Sequence, residues 1–316
     1  MPEMYDIAII GGGPAGLTAG LYASRARMKT ILIERMVCGG QVLITDTIEN
    51  FPGFPGGIKG PELADWMFKQ ASHFGLEVKP AEAKGVILKK KENEAFSVEL
   101  ADGARLQALS LIVSTGARWN SPGIPGEKEL TGRGVSYCAT CDAPLFRGKE
   151  VAVIGGGDTA LEDALFLAKF ADKVTVIHRR DRFRGTKILQ ERVSANNKIE
   201  VRFNSAAVSI AGTGKCEAID IKDVRTGAAG SIKVSGVFVL IGMTPNSENF
   251  KGVIETDDKG YIICDDDMKT SVDGVFACGD VRRKLLRQVV TACGDGATAA
   301  FSAQHYVERL KGIEYK

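Results

Sequence analysis
No stretch of the chain approaches the run of about 18 apolar residues that a membrane helix needs, so no membrane span is expected. Nor does the start, Met-Pro-Glu-Met, carry a basic segment followed by an apolar run and a cleavage site, so no secretory leader is expected. Histidine is scarce: His73, His178 and His305 stand far apart and close to no cysteine. The seven cysteines are odd in number and five of them stand singly, unlike the dense, even framework of a small secreted domain. A reducing, cytoplasmic setting is the expectation. A net charge of +2 gives no general reason to expect nucleic acid or a membrane surface as partner. What the chain does have is glycine, 37 residues, much of it in pairs and triplets. Such clusters mark tight backbone turns at ligand sites. A length of 316 residues with 44% hydrophobic side chains suits two domains of about 100–200 residues each.

Two of the glycine clusters sit in the same context. Tyr5-Asp6-Ile7-Ala8-Ile9-Ile10 reads as a strand and runs into Gly11-Gly12-Gly13-Pro14-Ala15-Gly16, a helix to about Arg25, and a return strand Thr30-Ile31-Leu32-Ile33 ending on Glu34. Val151-Ala152-Val153-Ile154, Gly155-Gly156-Gly157-Asp158-Thr159-Ala160, a helix to about Phe170 and Val174-Thr175-Val176-Ile177 repeat the plan. Pro/Gly-containing segments at 118–126 and 242–246 flank the second unit. The expected fold is therefore α/β, with two Rossmann-like, three-layer dinucleotide-binding domains, the second inserted into the first. Residues 1–116 and 246–316 would form the discontinuous first domain, and residues 117–245 the second.

A lone GxGxxG is a weak signal, but here each copy follows a strand and opens a helix, as pyrophosphate binding requires. Gly11 and Gly155 allow the turn, Gly13 and Gly157 let the backbone approach the anion, and Gly16 permits close packing. The two return strands then differ. Glu34 stands where an acid accepts hydrogen bonds from free ribose hydroxyls and repels a 2′-phosphate. His178, Arg179 and Arg180 stand at the same place in the second unit, with Arg184 just beyond, where guanidiniums clamp a 2′-phosphate. The first site looks built for FAD and the second for NADPH. Gly274-Val275-Phe276-Ala277-Cys278-Gly279-Asp280 reads as a buried strand whose Asp280 binds the ribityl hydroxyls of a flavin. A Gly/Ala-rich helix beginning near Ala292 follows, its N-terminus suited to the charge of a reduced flavin.

Cys138-Ala139-Thr140-Cys141 has the spacing of a reversible disulfide or of half a zinc site. With no second close pair and no clustered histidine, no metal is expected. Two roles remain open for Asp142: proton shuttle for thiol exchange, or cap of a turn. Cys216, Cys264, Cys278 and Cys293 read as structural. Cys38 lies beside Gly39-Gly40, near the flavin loop.

Taken together, Gly39-Gly40-Gln41, Ile48-Glu49-Asn50-Phe51-Pro52-Gly53, Ser114-Thr115-Gly116-Ala117, Cys138-Ala139-Thr140-Cys141-Asp142, Gly155-Gly156-Gly157-Asp158, His178-Arg179-Arg180-Asp181, Arg287-Gln288 and Gly294-Asp295-Gly296 resemble the low-molecular-weight, bacterial and archaeal-type thioredoxin reductases. The match runs in order over essentially the whole chain. The resemblance implies a homodimer with FAD in each subunit. It assigns FAD contacts to Gly11, Gly13, Ala15, Gly16, Glu34, Gly40, Gln41, Asn50, Thr115, Gly116, Gly279, Asp280, Arg287, Gln288 and Val289. It assigns NADPH contacts to Gly155, Gly157, Asp158, Thr159, His178, Arg179, Arg180, Arg184, Ile241 and Gly242. Electrons would pass from NADPH through FAD to the Cys138–Cys141 disulfide and on to thioredoxin, with Cys141 facing the flavin, Cys138 attacking the partner and Asp142 assisting. Ala143, Gly185, Cys278 and Cys293 depart from the family's commoner residues without removing a functional group, but they loosen the identity of the protein partner. A same-fold flavoprotein reducing another thioredoxin-like or peroxiredoxin-system partner is the alternative. A ferredoxin–NADP reductase would lack the Cys-x-x-Cys, and a flavin-binding sensor would need neither an intact cysteine pair nor an NADPH clamp.

Overall fold
A computed structural model describes residues 4–45, 47–89 and 94–314. The chain separates into two compact units, one of Met1–Arg118 with Thr244–Lys316 and one of Trp119–Met243.

The first unit is built on a seven-stranded sheet. Its centre is the strand Met4–Ile10, flanked by Thr30–Glu34 and Arg105–Val113, with Glu77–Pro80 at one edge and Phe96–Leu100 and Ala83–Ile87 at the other. The short strand Val275–Ala277 adds to Arg105–Val113 in parallel. Alternation sorts the side chains onto two faces. Ile7, Ile9 and Leu32 pack under the helices Pro14–Arg25 and Val289–Lys311, while Ala8, Ile10, Ile31 and Ile33 pack with Phe96, Val98 and Phe250 on the other side. Such two-sided burial explains why these strands read as continuous apolar runs.

In the second unit five parallel strands run in the order Val135–Ser136, Gly236–Leu240, Glu150–Gly155, Lys173–Ile177 and Ile199–Arg202. Val151, Val153, Val174 and Val176 bury against the helices Asp158–Leu167 and Lys187–Ala195. Ala152, Ile154, Ile177, Val237 and Val239 bury against a three-stranded antiparallel sheet of Ser205–Ala211, Ala218–Asp223 and Ala229–Lys233. Helices, parallel sheet and antiparallel sheet make the three layers.

Some boundaries differ from the sequence reading. The second-unit helix ends at Leu167 and closes through a turn at Phe170, whose N–H donates to the Leu167 carbonyl at 2.9 Å. The last helix starts at Val289 rather than near Ala292, because Gln288 and Thr291 form a reciprocal capping box. No helix of the described residues is long and apolar enough to cross a membrane.

Gly296 sits where the last helix crosses the first: a Cβ there would lie 2.2 Å from the Ala15 carbonyl oxygen, a backbone atom that cannot swing aside. Gly296→Ala should therefore cost about 1–3 kcal/mol through overpacking. Urea unfolding in excess FAD, followed by circular dichroism, should show a lower midpoint at unchanged slope; a midpoint equal to the parent's would show that the crossing relaxes freely.

Candidate active site and nucleotide cradles
Parallel register brings the first cradle together. Ile10 stands opposite both Ile33 and Val113, and Val113 opposite Ala277, so four strands end at one level. The residues that follow them are Gly11, Glu34, Ser114 and Cys278. The carboxyl edge of such a sheet is where nucleotides bind. Gly11 has φ +107°, and a Cβ would lie 2.5 Å from the Ser114 carbonyl. Ser114 secures the turn, its hydroxyl lying 2.8 Å from the Gly11 carbonyl and 3.0 Å from that of Ile10. Gly13 is different: a Cβ would meet nothing within 4 Å. Packing does not demand glycine there, which leaves open approach of a ligand as its use. Gly16 and Ala15 form the buried first turn of the helix. Gly40 comes close to Gly13, its own Cβ position 3.2 Å from the Gly13 Cα.

Glu34 accepts the Gly12 N–H at 2.7 Å and the Met36 N–H at 3.0 Å, which aims the carboxylate at the turn. Cys38 touches the same turn, its Sγ 2.9 Å from a Cβ built on Gly12. Burial first, and then Glu34, push this thiol up to about 11, so Cys38 stays a neutral packing group. Gln41 donates to the Ala117 carbonyl. Thr115 and Asn246 clasp each other, through Thr115 Oγ1 to the Asn246 carbonyl at 2.6 Å and Asn246 Nδ2 to the Thr115 carbonyl at 2.8 Å, beside Gly116 in the left-handed region at φ +68°.

The wall opposite is formed by residues 278–289. Asp280 Oδ1 and Arg287 Nε are buried without a hydrogen-bond partner, and buried polar atoms rarely stay so. Burial raises the Asp280 carboxyl above its ordinary range, while Lys284 and Arg287 pull it back. Arg287 stacks over Tyr261, 4.2 Å from the ring centre. Asn50 Nδ2 donates to Gln288 Oε1 at 2.9 Å, tying the loop after the first half of the sheet to the start of the last helix at Val289. Gly279 is held by Asp295, which accepts its N–H at 3.1 Å and the nearly buried Lys284 ammonium at 2.8 Å. A flavin with ribityl hydroxyls and a pyrophosphate fits this donor and acceptor set.

The second cradle repeats the geometry with opposite charge. Gly155 stands opposite Leu240, and Ile154 opposite Ile177, so the turn, His178 and Ile241 lie on one edge. A Cβ on Gly155 would collide with the Leu240 carbonyl, whereas Gly157 again meets nothing within 4 Å. Asp158 and Thr159 open the helix and are exposed. Asp158 Oδ1 accepts the Thr186 N–H at 2.7 Å, and the Gly156 carbonyl accepts the Arg184 N–H at 2.8 Å, so the basic segment is laced onto the turn. His178 packs on Gly156, buried, with Nε2 unpartnered. Burial holds its imidazole below the usual range, and Arg184 and Arg180 add to the effect. Arg179, Arg180 and Arg184 are exposed and enter no ion pair with a described carboxylate. Gly242 has φ +101° and its carbonyl accepts the Asn120 N–H at 3.0 Å.

Cys138 and Cys141 are joined as a disulfide, with Cα atoms 5.3 Å apart. The pair spans the one-turn helix Ala139–Asp142, which follows the strand Val135–Ser136 at the carboxyl edge of the sheet. Ser136 braces Cys138 on both sides, its hydroxyl accepting the Cys138 N–H at 3.1 Å and lying 3.3 Å from the Cys138 carbonyl. Asp142 ends the turn, half-buried, its N–H on the Cys138 carbonyl at 3.2 Å. Among the described residues no group of three or more His, Cys, Asp or Glu side chains could hold a metal ion.

Several supporting residues carry no local sequence signal: Asn246, Tyr261 and Ser136 act from strand ends or distant loops. Lys284 and Asp295 meet across eleven positions. Asp163, on the helix behind the redox turn, faces the Ala139 N–H.

The pyridine nucleotide-disulphide oxidoreductase family model matches residues 5–296. A thioredoxin reductase of Peptoclostridium acidaminophilum is 50% identical over 98% of each chain. That of Bacillus subtilis (strain 168) is 46% identical, covering 98% of this chain and 96% of its own. The crystal structure of thioredoxin reductase from Streptococcus pyogenes MGAS5005 superposes with a TM-score of 0.93 at 43% identity, over 98% of this chain and all of the other.

Asp163 yields a pH prediction. Its carboxyl is pushed from 3.8 up to about 6, first by burial and then by Glu162, with the Ala139 N–H opposing. The folded state therefore holds this proton more tightly than the unfolded chain. That advantage is present below pH 3.8 and is lost as pH rises through about 6. Asp163→Asn should thus raise stability by about 1 kcal/mol at pH 7.5, allowing for solvent screening. The gain should shrink toward nothing at pH 4. Urea melts at the two pH values check this, and an equal gain at both would refute it.

Proposed function
Because the chain belongs to the pyridine nucleotide-disulphide oxidoreductase family, within its thioredoxin reductases, we infer that it reduces oxidised thioredoxin with NADPH through FAD and the Cys138–Cys141 disulfide. The observation that carries the reading is the disulfide of a Cys-x-x-Cys turn at the carboxyl edge of a nucleotide-binding sheet. FAD, when bound, relays two electrons from NADPH to that disulfide.

We assign residues 1–116 and 246–316 to FAD and residues 117–245 to NADPH and the redox pair. Gly11, Gly13, Ala15 and Gly16 cradle the FAD pyrophosphate, and Glu34 holds the adenosine ribose. Asp280 accepts from the ribityl hydroxyls. Gly40, Gln41, Asn50, Thr115, Gly116, Gly279, Arg287, Gln288 and Val289 complete that cradle. Gly155, Gly157, Asp158, Thr159, Ile241 and Gly242 form the NADPH backbone cradle. His178, Arg179, Arg180 and Arg184 take the 2′-phosphate. Support comes from Asp280 Oδ1, Arg287 Nε and His178 Nε2, which are buried without a hydrogen-bond partner.

Reduction breaks the Cys138–Cys141 bond with two electrons and two protons and leaves two thiols. Cys138, as thiolate, attacks one sulfur of the thioredoxin disulfide and expels the other, which takes up a proton. Cys141 then attacks Cys138 and releases dithiol thioredoxin, restoring the bond. Asp142 supplies and retrieves the protons. The five cysteines free of disulfides suit a reducing cytoplasm, and the family resemblance supports a homodimer, to be checked by light scattering.

Cys138→Ser and Cys141→Ser should each abolish NADPH-driven thioredoxin reduction while retaining FAD, as read from absorbance of the purified protein. Normal turnover in either variant would overturn the assignment. Arg180→Ala should cost about ten- to a hundredfold in NADPH over NADH selectivity, the loss of one charge-assisted contact of about 1.5–3 kcal/mol. The ratio of kcat/KM for the two coenzymes measures it, and equal use of both by the unaltered protein would sink the 2′-phosphate clamp.

A further inference from the structure
The redox pair has a support that the sequence motifs do not mark. Glu127 is only 2% exposed, yet it is a carboxylate. Its Oε2 accepts the Ser121 hydroxyl at 2.8 Å, the Gly123 N–H at 3.0 Å and the Ile124 N–H at 3.3 Å. Its Oε1 accepts the Tyr137 hydroxyl at 2.8 Å. Four donors thus meet the carboxylate, three on Oε2 and one on Oε1. No described cation pairs with it in the structure, so these donors offset its desolvation.

The four donors come from two places. Three lie in the turn 121–124, at the entry of the chain into the second unit. The fourth is the side chain of Tyr137, covalently next to Cys138. The turn is itself anchored: the Pro125 carbonyl accepts the Ile210 N–H at 2.9 Å, and a Cβ on Gly126 would lie 1.9 Å from the Ile210 carbonyl. The Tyr137 ring stacks on Trp119, with centroids 6.1 Å apart and planes 19° from parallel. Burial first, and then Glu127, push the Tyr137 hydroxyl up to about 12, so it remains a donor at every working pH.

We propose that Glu127 is a positioning residue for the dithiol, fixing the backbone at Cys138 by joining Tyr137 to the anchored turn 121–124. The proposal rests on the reading of Cys138 and Cys141 as the redox pair. Glu127 touches neither sulfur; it acts through the Tyr137–Cys138 peptide, with Ser136 holding the other side. A disulfide tolerates a narrow range of Cα and Cβ placements, whereas two thiols tolerate many. A fixed Cys138 backbone therefore raises the effective concentration of one thiol at the other and favours the disulfide. Loosening it should shift the pair toward the dithiol.

Tyr137→Phe removes a single oxygen and keeps the stack on Trp119; Glu127→Gln keeps the shape and removes the charge. Each holoenzyme is equilibrated in glutathione buffers of graded ratio, quenched with acid, and its dithiol fraction counted by alkylation and mass spectrometry. Both variants should shift the equilibrium constant at least threefold toward dithiol. Cys138 in the reduced proteins should react at least threefold faster with iodoacetamide across pH 6–9. Neither readout uses thioredoxin, so a failure to reduce thioredoxin by the unaltered protein would strike the functional reading and leave this test standing. If Glu127→Gln does not fold, Tyr137→Phe carries the test alone. A folded Tyr137→Phe with the parental equilibrium constant and alkylation profile overturns the proposal.

Discussion
Parallel strands in register end together, and both halves of this protein depend on that constraint. In the first unit Ile10, Ile33, Val113 and Ala277 share a level. In the second, Ile154, Ile177 and Val239 do. Backbone groups beyond those ends have no ladder partner, so they must find turns, side chains or a ligand. The glycine turns exploit that edge twice over. Gly11 and Gly155 are glycines because neighbouring backbone leaves no room, whereas Gly13 and Gly157 face open space where a phosphate can approach. Two different physical demands thus appear in sequence as one motif.

Charge then separates the sites. Glu34 is aimed by two backbone N–H donors, which both orient the carboxylate and stabilise it. The guanidiniums of the second unit are exposed, but the segment bearing them is tied down at Thr186, Arg184 and Gly185 through Asp158 and the Gly156 carbonyl. The backbone is thus held while the long cationic side chains stay exposed. In the first unit, by contrast, distant segments meet, as where Asn50 donates to Gln288.

The redox turn is short, and a four-residue helix cannot stabilise itself. Its geometry is imposed from outside: Ser136 braces Cys138, the helix bearing Asp163 packs behind Ala139, and Glu127 holds Tyr137. Two acids near one disulfide, Glu127 buried and Asp163 half-buried, neither with a cationic partner in the described structure, differ in their hydrogen bonding. Glu127 is met by four donors, while burial leaves Asp163 raised toward about 6.

The sequence by itself determined the two βαβ units, the insertion of one in the other, and the cysteine pair. These features are local: a strand, a turn and a helix contiguous in the chain, recognisable by period and by glycine. Only the tertiary structure decided which atoms are left buried without partners, that Cys38 packs against Gly12 with its thiol pushed up by burial, and that the last helix begins at a capping box on Gln288. It alone joined Ser114 to Gly11, Asn246 to Thr115 and Glu127 to Tyr137. The reason is physical. A hydrogen bond between residues far apart in the chain leaves no periodicity and no spacing, and a thiol's reactivity depends on burial and neighbouring charge that exist only once the strands have aligned.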